Sequence, residues 1–126
     1  MTVYVVHPSR DDISTAQRFG DLRFVNRDYV YPDEVDDERI PITKLEPIRQ
    51  AAREFDPDED FLLIVGDHLQ LIAFTAELVR HHAWFRVLRY DRQERAYYPV
   101  KIDVARDIGE HNGQATDAVR PDQVVV

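Results

Sequence analysis

Phe61–Val65 is an unbroken apolar run that ends at Gly66-Asp67, and a helix-patterned stretch begins at once and continues to Val79. Five apolar residues closed by a glycine read as a strand buried on both faces. Asp67 stands where a carboxylate can accept the free N–H groups of a first helical turn. Strand, tight turn and helix form the front half of a βαβ unit. That constrains the chain to an α/β class, in which ligands collect at the carboxyl ends of the strands.

The flanking sequence extends this reading. Val3–Val6 is a short, β-branched opening strand that ends before Pro8, because proline cannot donate within a ladder. Asp12 or Ser14 caps a short helix to Phe19, with Gly20 as its stop, and Leu22–Val25 is a second strand. Asn26–Pro41 has no period and reads as an exposed, partly mobile loop. Thr43 and Glu46 have the spacing of a capping box for a helix through Phe55, with Pro47 still in its first turn. The helix from His68 to His82 carries Leu69, Ile72, Ala73, Ala76 and Val79 on one face, with Leu71, Phe74 and Leu78 widening it to an arc that implies burial against sheet and neighbour together. Residues 84–90 and 96–104 alternate around the polar Asp91–Arg95 turn and form a β-hairpin, and Pro99 either places its second strand at an edge or lies on that strand's unpaired side. The expected architecture is a small α/β fold: a mostly parallel sheet flanked by helices, with a C-terminal antiparallel β-hairpin. A single domain spans 1–107, and 108–126 is a flexible C-terminal tail whose Val124–Val126 end is available to dock on an edge.

Composition narrows the chemistry. The chain of 126 residues has no cysteine, so disulfides, thiolate metal sites and cysteine nucleophiles are excluded. No apolar run approaches the roughly 18 residues of a membrane span, and no basic leader precedes an apolar core, so a cytoplasmic protein is expected. The net charge of −8 is unevenly placed. Residues 28–60 carry a local balance of −8, whereas residues 80–101 carry +4. Such segregation can steer two partners, or one protein into self-association.

Two constellations are candidates for function. If the first and third strands are parallel neighbours, His7, Ser9 and Arg10 share a sheet end with Gly66, Asp67 and His68. Arg10 and the helix N-terminus would then favour a phosphate or carboxylate. Against this stand the absence of any glycine-rich phosphate loop and the ordinary use of Asp67 as a cap. The second constellation is the hairpin, where Trp84, Tyr90 and Tyr97 are interleaved with Arg86, Arg89, Arg92 and Arg95. This composition suits a protein interface, and suits a nucleic acid less because the chain is acidic overall. Asp56, Asp58 and Asp60 imitate the first calcium-loop ligands. The pattern then fails, with Phe61 in place of the glycine and Asp67 in place of the closing glutamate. His81 and His82 point about 100° apart on a helix and do not chelate one ion. No metal and no cofactor are expected.

The segments VYVVHPSR, ISTAQRFGDL and LLIVGDH, with the hairpin RYDRQERAYYPV, resemble small bacteriophage-encoded proteins of unknown function. The resemblance implies a phage accessory role, such as binding a host or phage protein, and carries over no functional residue. The first functional expectation is therefore a non-enzymatic protein-interaction factor, potentially homodimeric. A second is a small-ligand binder for a nucleotide or phosphometabolite at the strand ends. A third is an acidic nucleic-acid mimic built on Asp33–Glu38 and Asp56–Asp60.

Overall fold

The computed structural model describes residues 1–8 and 12–104. Ser9, Arg10 and the expected tail from 108 onward, with its valine end, lie outside the described residues. Strands β1 (Thr2–Val5), β2 (Asp21–Phe24), β3 (Phe61–Leu63), β4 (Trp84–Asp91) and β5 (Ala96–Asp103) form one sheet in the order β2-β1-β3-β4-β5. The first four are parallel, and β5 returns antiparallel along β4 in an unbroken register from Trp84–Asp103 to Asp91–Ala96. The expected α/β class and the C-terminal hairpin are both present, and β5 is an edge strand, one of the two placements that Pro99 allows.

Two layers cover the sheet. On one face, α1 (Ile42–Glu54) and α2 (His68–His81) pack Ile48, Ala51, Ala52, Phe74 and Leu78 against Tyr4, Val6, Leu62, Phe85 and Val87. On the other, Val3, Val5, Phe61, Leu63, Leu88 and Tyr97 close around Ala16, with Ile13 and Phe19 beside it. The segment expected as a short α-helix is a 3-10 helix, Ser14–Phe19. The reason is reach: at about 2.0 Å per residue, six residues return the length of a four-residue strand, which one and a half α-turns would not.

Several local expectations are corrected. Helix α1 begins at Ile42 with Pro41 as its N-cap and no side-chain cap, so the Thr43–Glu46 box is not formed. The Pro41 carbonyl accepts from Lys44 and Leu45, and Glu46 instead meets Arg49. Strand β3 stops at Leu63 because the Val65 N–H turns back to the Leu63 carbonyl at 3.1 Å, a three-residue turn that ends the ladder. Gly20 has φ +154° rather than a left-handed cap conformation. Residues 26–41 are mostly exposed, as expected, but anchored at two points: Val30 is buried, and the buried Asn26 donates to Gln70 Oε1 at 2.8 Å and to the Lys44 carbonyl at 2.9 Å. Gln70, fully buried on α2, donates in turn to the Asp28 carbonyl.

The largest correction concerns the faces of α2. Its buried side is Gln70, Phe74, Glu77 and Leu78, whereas Leu69, Ile72, Ala76 and Val79 face solvent. No helix among the described residues is long and apolar enough to cross a membrane.

Candidate functional site at the carboxyl edge of the sheet

The chain leaves β1 toward one face of the sheet and leaves β3 toward the other, so their carboxyl ends mark the topological switch point. His7 follows β1 there, and Gly66, Asp67 and His68 follow β3, as expected from the sequence. The two ends touch. A Cβ on Gly66 would stand 2.0 Å from the His7 carbonyl oxygen, and Gly66 has φ +88°. Only glycine permits that approach in that conformation. The switch point is thus closed by backbone at this level.

Around it, Asp67 caps α2 by accepting from the Leu69 N–H at 3.3 Å. Its other oxygen, Oδ2, and His7 Nδ1 are both buried, and neither has a hydrogen-bond partner among the described residues. Tyr29 packs edge-on to the His7 ring, with Tyr31 beyond it. His68 is exposed.

The open volume lies one strand further along. A cleft of about 860 Å³ runs over the ends of β3, β4 and β5, lined by Asp12, Ile64, Val65, Arg89, Tyr90, Asp91, Arg92, Tyr97 and Tyr98. It joins the two constellations that the sequence kept apart, since β3 contributes its end and the hairpin contributes its turn-proximal half. Arg89 and Arg92 make no ion pair or hydrogen bond among the described residues. Tyr97 is buried and packs its ring against Tyr90 at 5.2 Å, which fixes the aromatic wall. Asp12 accepts from Ser14, and those hydrogen bonds hold its carboxyl below the usual range, so it enters the cleft as an anion.

The other hairpin residues are placed elsewhere. Arg86 donates to the Asp58 carbonyl at 2.8 Å and stacks over Phe61, which commits it to the fold. Trp84, at the opposite end of β4, carries Lys101 over its ring. Arg95 sits exposed in the hairpin turn with φ +53°. In the acidic stretch, Asp60 is buried and accepts from the Thr2 and Asp56 N–H groups, and Lys44 lies between Asp28 and Glu34. Among the described residues no cluster of His, Asp or Glu could hold a metal ion.

Asp12, Ile64, Val65, Asp91 and Tyr98 are the cleft residues that were not among the sequence candidates. Tyr98 was visible as an alternating hairpin aromatic. Asp12 reaches the site only through the fold.

A family model described as phage Pam3 gp32-like protein matches residues 1–104, the whole of the five-stranded domain. The chain belongs to that family. The resemblance to small phage-encoded proteins is thereby borne out. No curated protein sequence and no solved structure gives a significant match. This member of the phage Pam3 gp32-like family therefore has to be interpreted from its own geometry.

Proposed function

We propose that the protein is a phage accessory factor that acts by binding, and that its carboxyl-edge cleft takes an anionic group of a partner protein. The observation that carries this is the pair Arg89 and Arg92, which line a concave site without internal partners and beside Tyr90, Tyr97 and Tyr98. Arginine forks with aromatic neighbours are the residues that concentrate interface energy. Asp12 and Asp91 line the same cleft, so Arg89 and Arg92 select an acidic group as local hydrogen-bond donors and not through a net positive charge. The test is affinity capture of the tagged chain from native-host lysate at low and high salt, with the Arg89→Glu/Arg92→Glu variant alongside. A stoichiometric partner that is lost in the variant and weakened by salt supports the reading. Equal capture by both proteins overturns it.

A second reading rests on the buried, unpartnered His7 Nδ1 and Asp67 Oδ2 at the switch point. Buried polar atoms without partners cost about 1–3 kcal/mol each, so a ligand that supplies those hydrogen bonds gains that much. This supports a small ligand, a nucleotide or phosphometabolite, held with help from Ser9 and Arg10. It predicts a thermal shift with such a ligand that Arg10→Ala and Asp67→Ala abolish, and no shift across a nucleotide and sugar-phosphate panel removes it. The acidic-mimic reading is weaker, because Asp60 and Glu34 within its two segments already meet internal partners.

A further inference from the structure

Helix α2 exposes an apolar stripe where an amphipathic helix would carry charge. Leu69 is 43 % exposed, Ile72 67 % and Val79 45 %, and Ala76 is also exposed. Between His68 and Arg80 no exposed residue of α2 is charged. The spacing alternates three and four, which is the seam of a helix that packs lengthwise against another.

The stripe continues on the sheet. Phe85 and Val87 face α1 and α2, so their register partners Ile102 and Val100 on β5 share that face. Both are 38 % exposed, and no helix among the described residues lies over them. Helix α1 flanks α2 on the other side, where Arg49 meets Glu77.

We infer that this face binds a second copy of the same chain, with α2 antiparallel to its partner about a two-fold axis near Phe74. Three observations select that occupant. The first is volume. Antiparallel pairing sets Ile72 against the small Ala76 and Leu69 against Val79, whereas parallel pairing would set isoleucine against isoleucine and leave alanine facing alanine. Such size matching is what a close-packed contact requires. The second is charge. The seam has none, so a chain of net charge −8 can approach itself there without repulsion. Arg80 and His81 then meet the end of the partner helix that carries Asp67, not their own like charges. The third is area. Leu69, Ile72, Val79, Val100 and Ile102 are each at least 38 % exposed, an apolar surface that water disfavours and that a second copy of the chain would cover. The contact is isologous and closes on itself. By the same register Arg89 and Tyr98 share this face beside Val87 and Val100, so the dimer face borders the carboxyl-edge cleft, although its argument does not rest on the function proposed above.

The chain has no cysteine, which makes cross-linking unambiguous. Ile72→Cys and Ala76→Cys chains of full length, mixed and oxidised, should give the 72–76 heterodimer in clear excess over either homodimer. Sedimentation at up to ~100 µM, the concentration range of a modest affinity, should show a dimer for the native chain. The Ile72→Glu chain should be a monomer with an unchanged circular dichroism spectrum. Excess Ile72→Cys homodimer would overturn the antiparallel arrangement. A native monomer, or a dimer indifferent to Ile72→Glu, would overturn the proposal. So would a native monomer whose Tm falls on Ile72→Glu, because the stripe would then be covered by residues of its own chain beyond Val104.

Discussion

Replacing Gly66 with alanine should be among the most damaging single-methyl changes available in this protein. The added Cβ would lie 2.0 Å from the His7 carbonyl oxygen and 2.9 Å from its carbon, both backbone atoms at the end of a buried strand. Moving them means disturbing Val5 and Val6, which are fully buried in opposite core layers. The positive φ alone costs an L-residue about 1–2 kcal/mol. Overpacking against fixed neighbours typically adds about 1–3 kcal/mol. The expected loss is therefore about 2–5 kcal/mol, a large share of the roughly 5–15 kcal/mol that stabilises a domain. At about 4–8 °C per kcal/mol for a domain near 100 residues, Tm should fall by roughly 10 °C or more. Urea unfolding at 25 °C should show a lower midpoint with an unchanged slope, since the exposed area on unfolding is the same. Gly20→Ala is the control. Its Cβ would meet the Met1 carbonyl at 2.5 Å, but Met1 is a highly exposed chain end that can shift at the cost of its bond to Asp21. Gly20 shares the strain of a positive φ but not the clash with fixed core backbone, so its variant should lose less. A Gly66→Ala loss under about 1 kcal/mol, or one equal to that of Gly20→Ala, would refute the claim that backbone contact closes the switch point.

Other perturbations test separate parts of the account. Gln70→Leu strands the Asn26 amide in the core and releases the Asp28 carbonyl, so chemical denaturation should show a loss of about 1–3 kcal/mol. Asp67→Ala removes the α2 cap and should cost about 1 kcal/mol of unfolding free energy, scored separately from any ligand effect. The Glu54 carboxyl is held below its ordinary value by the Gln50 amide and then by Arg23. Its contribution is complete above the unfolded carboxylate pKa and disappears as pH falls through the lower folded value. Glu54→Gln should therefore lower Tm near neutrality by an amount that vanishes below the folded pKa, flattening the acid limb of a Tm-against-pH curve to that same extent, and an identical acid limb would contradict the assignment.

The parts of the fold legible in the sequence were those fixed by local chemistry. The strand–Gly66–Asp67–helix junction, the hairpin register and the edge position of β5 follow from an apolar run, a cap and a proline, each acting on its own neighbours. The face of α2 did not follow. Both of its stripes are apolar, and the choice between them is made by Gln70 and Glu77, polar residues buried because Asn26 and Arg49 meet them. Asn26 and Gln70 lie 44 positions apart, and such a pairing leaves no periodic trace. The capping box failed for a related reason: Pro41 already supplied the acceptor that starts α1, which freed Thr43 and Glu46. At the site, His7, Gly66 and Asp67 were placed correctly by strand order, but the cleft was not. It depends on Asp12 and the β4–β5 ends meeting β3, a consequence of sheet order that no motif encodes. Composition could not show that Arg86 stacks over Phe61 and that Lys101 lies over Trp84.

The central claim is that partners enter through the Arg89–Arg92 cleft, and site-resolved photo-cross-linking tests it most directly. A photoreactive phenylalanine analogue at Tyr90, on the cleft wall, is compared in native-host lysate with the same group at Arg53 on the exposed outer face of α1. The account predicts a discrete protein adduct from position 90, absent from position 53, and lost when Arg89 and Arg92 are changed to glutamate. An adduct that survives the charge reversal, or one that forms equally well at position 53, would contradict it.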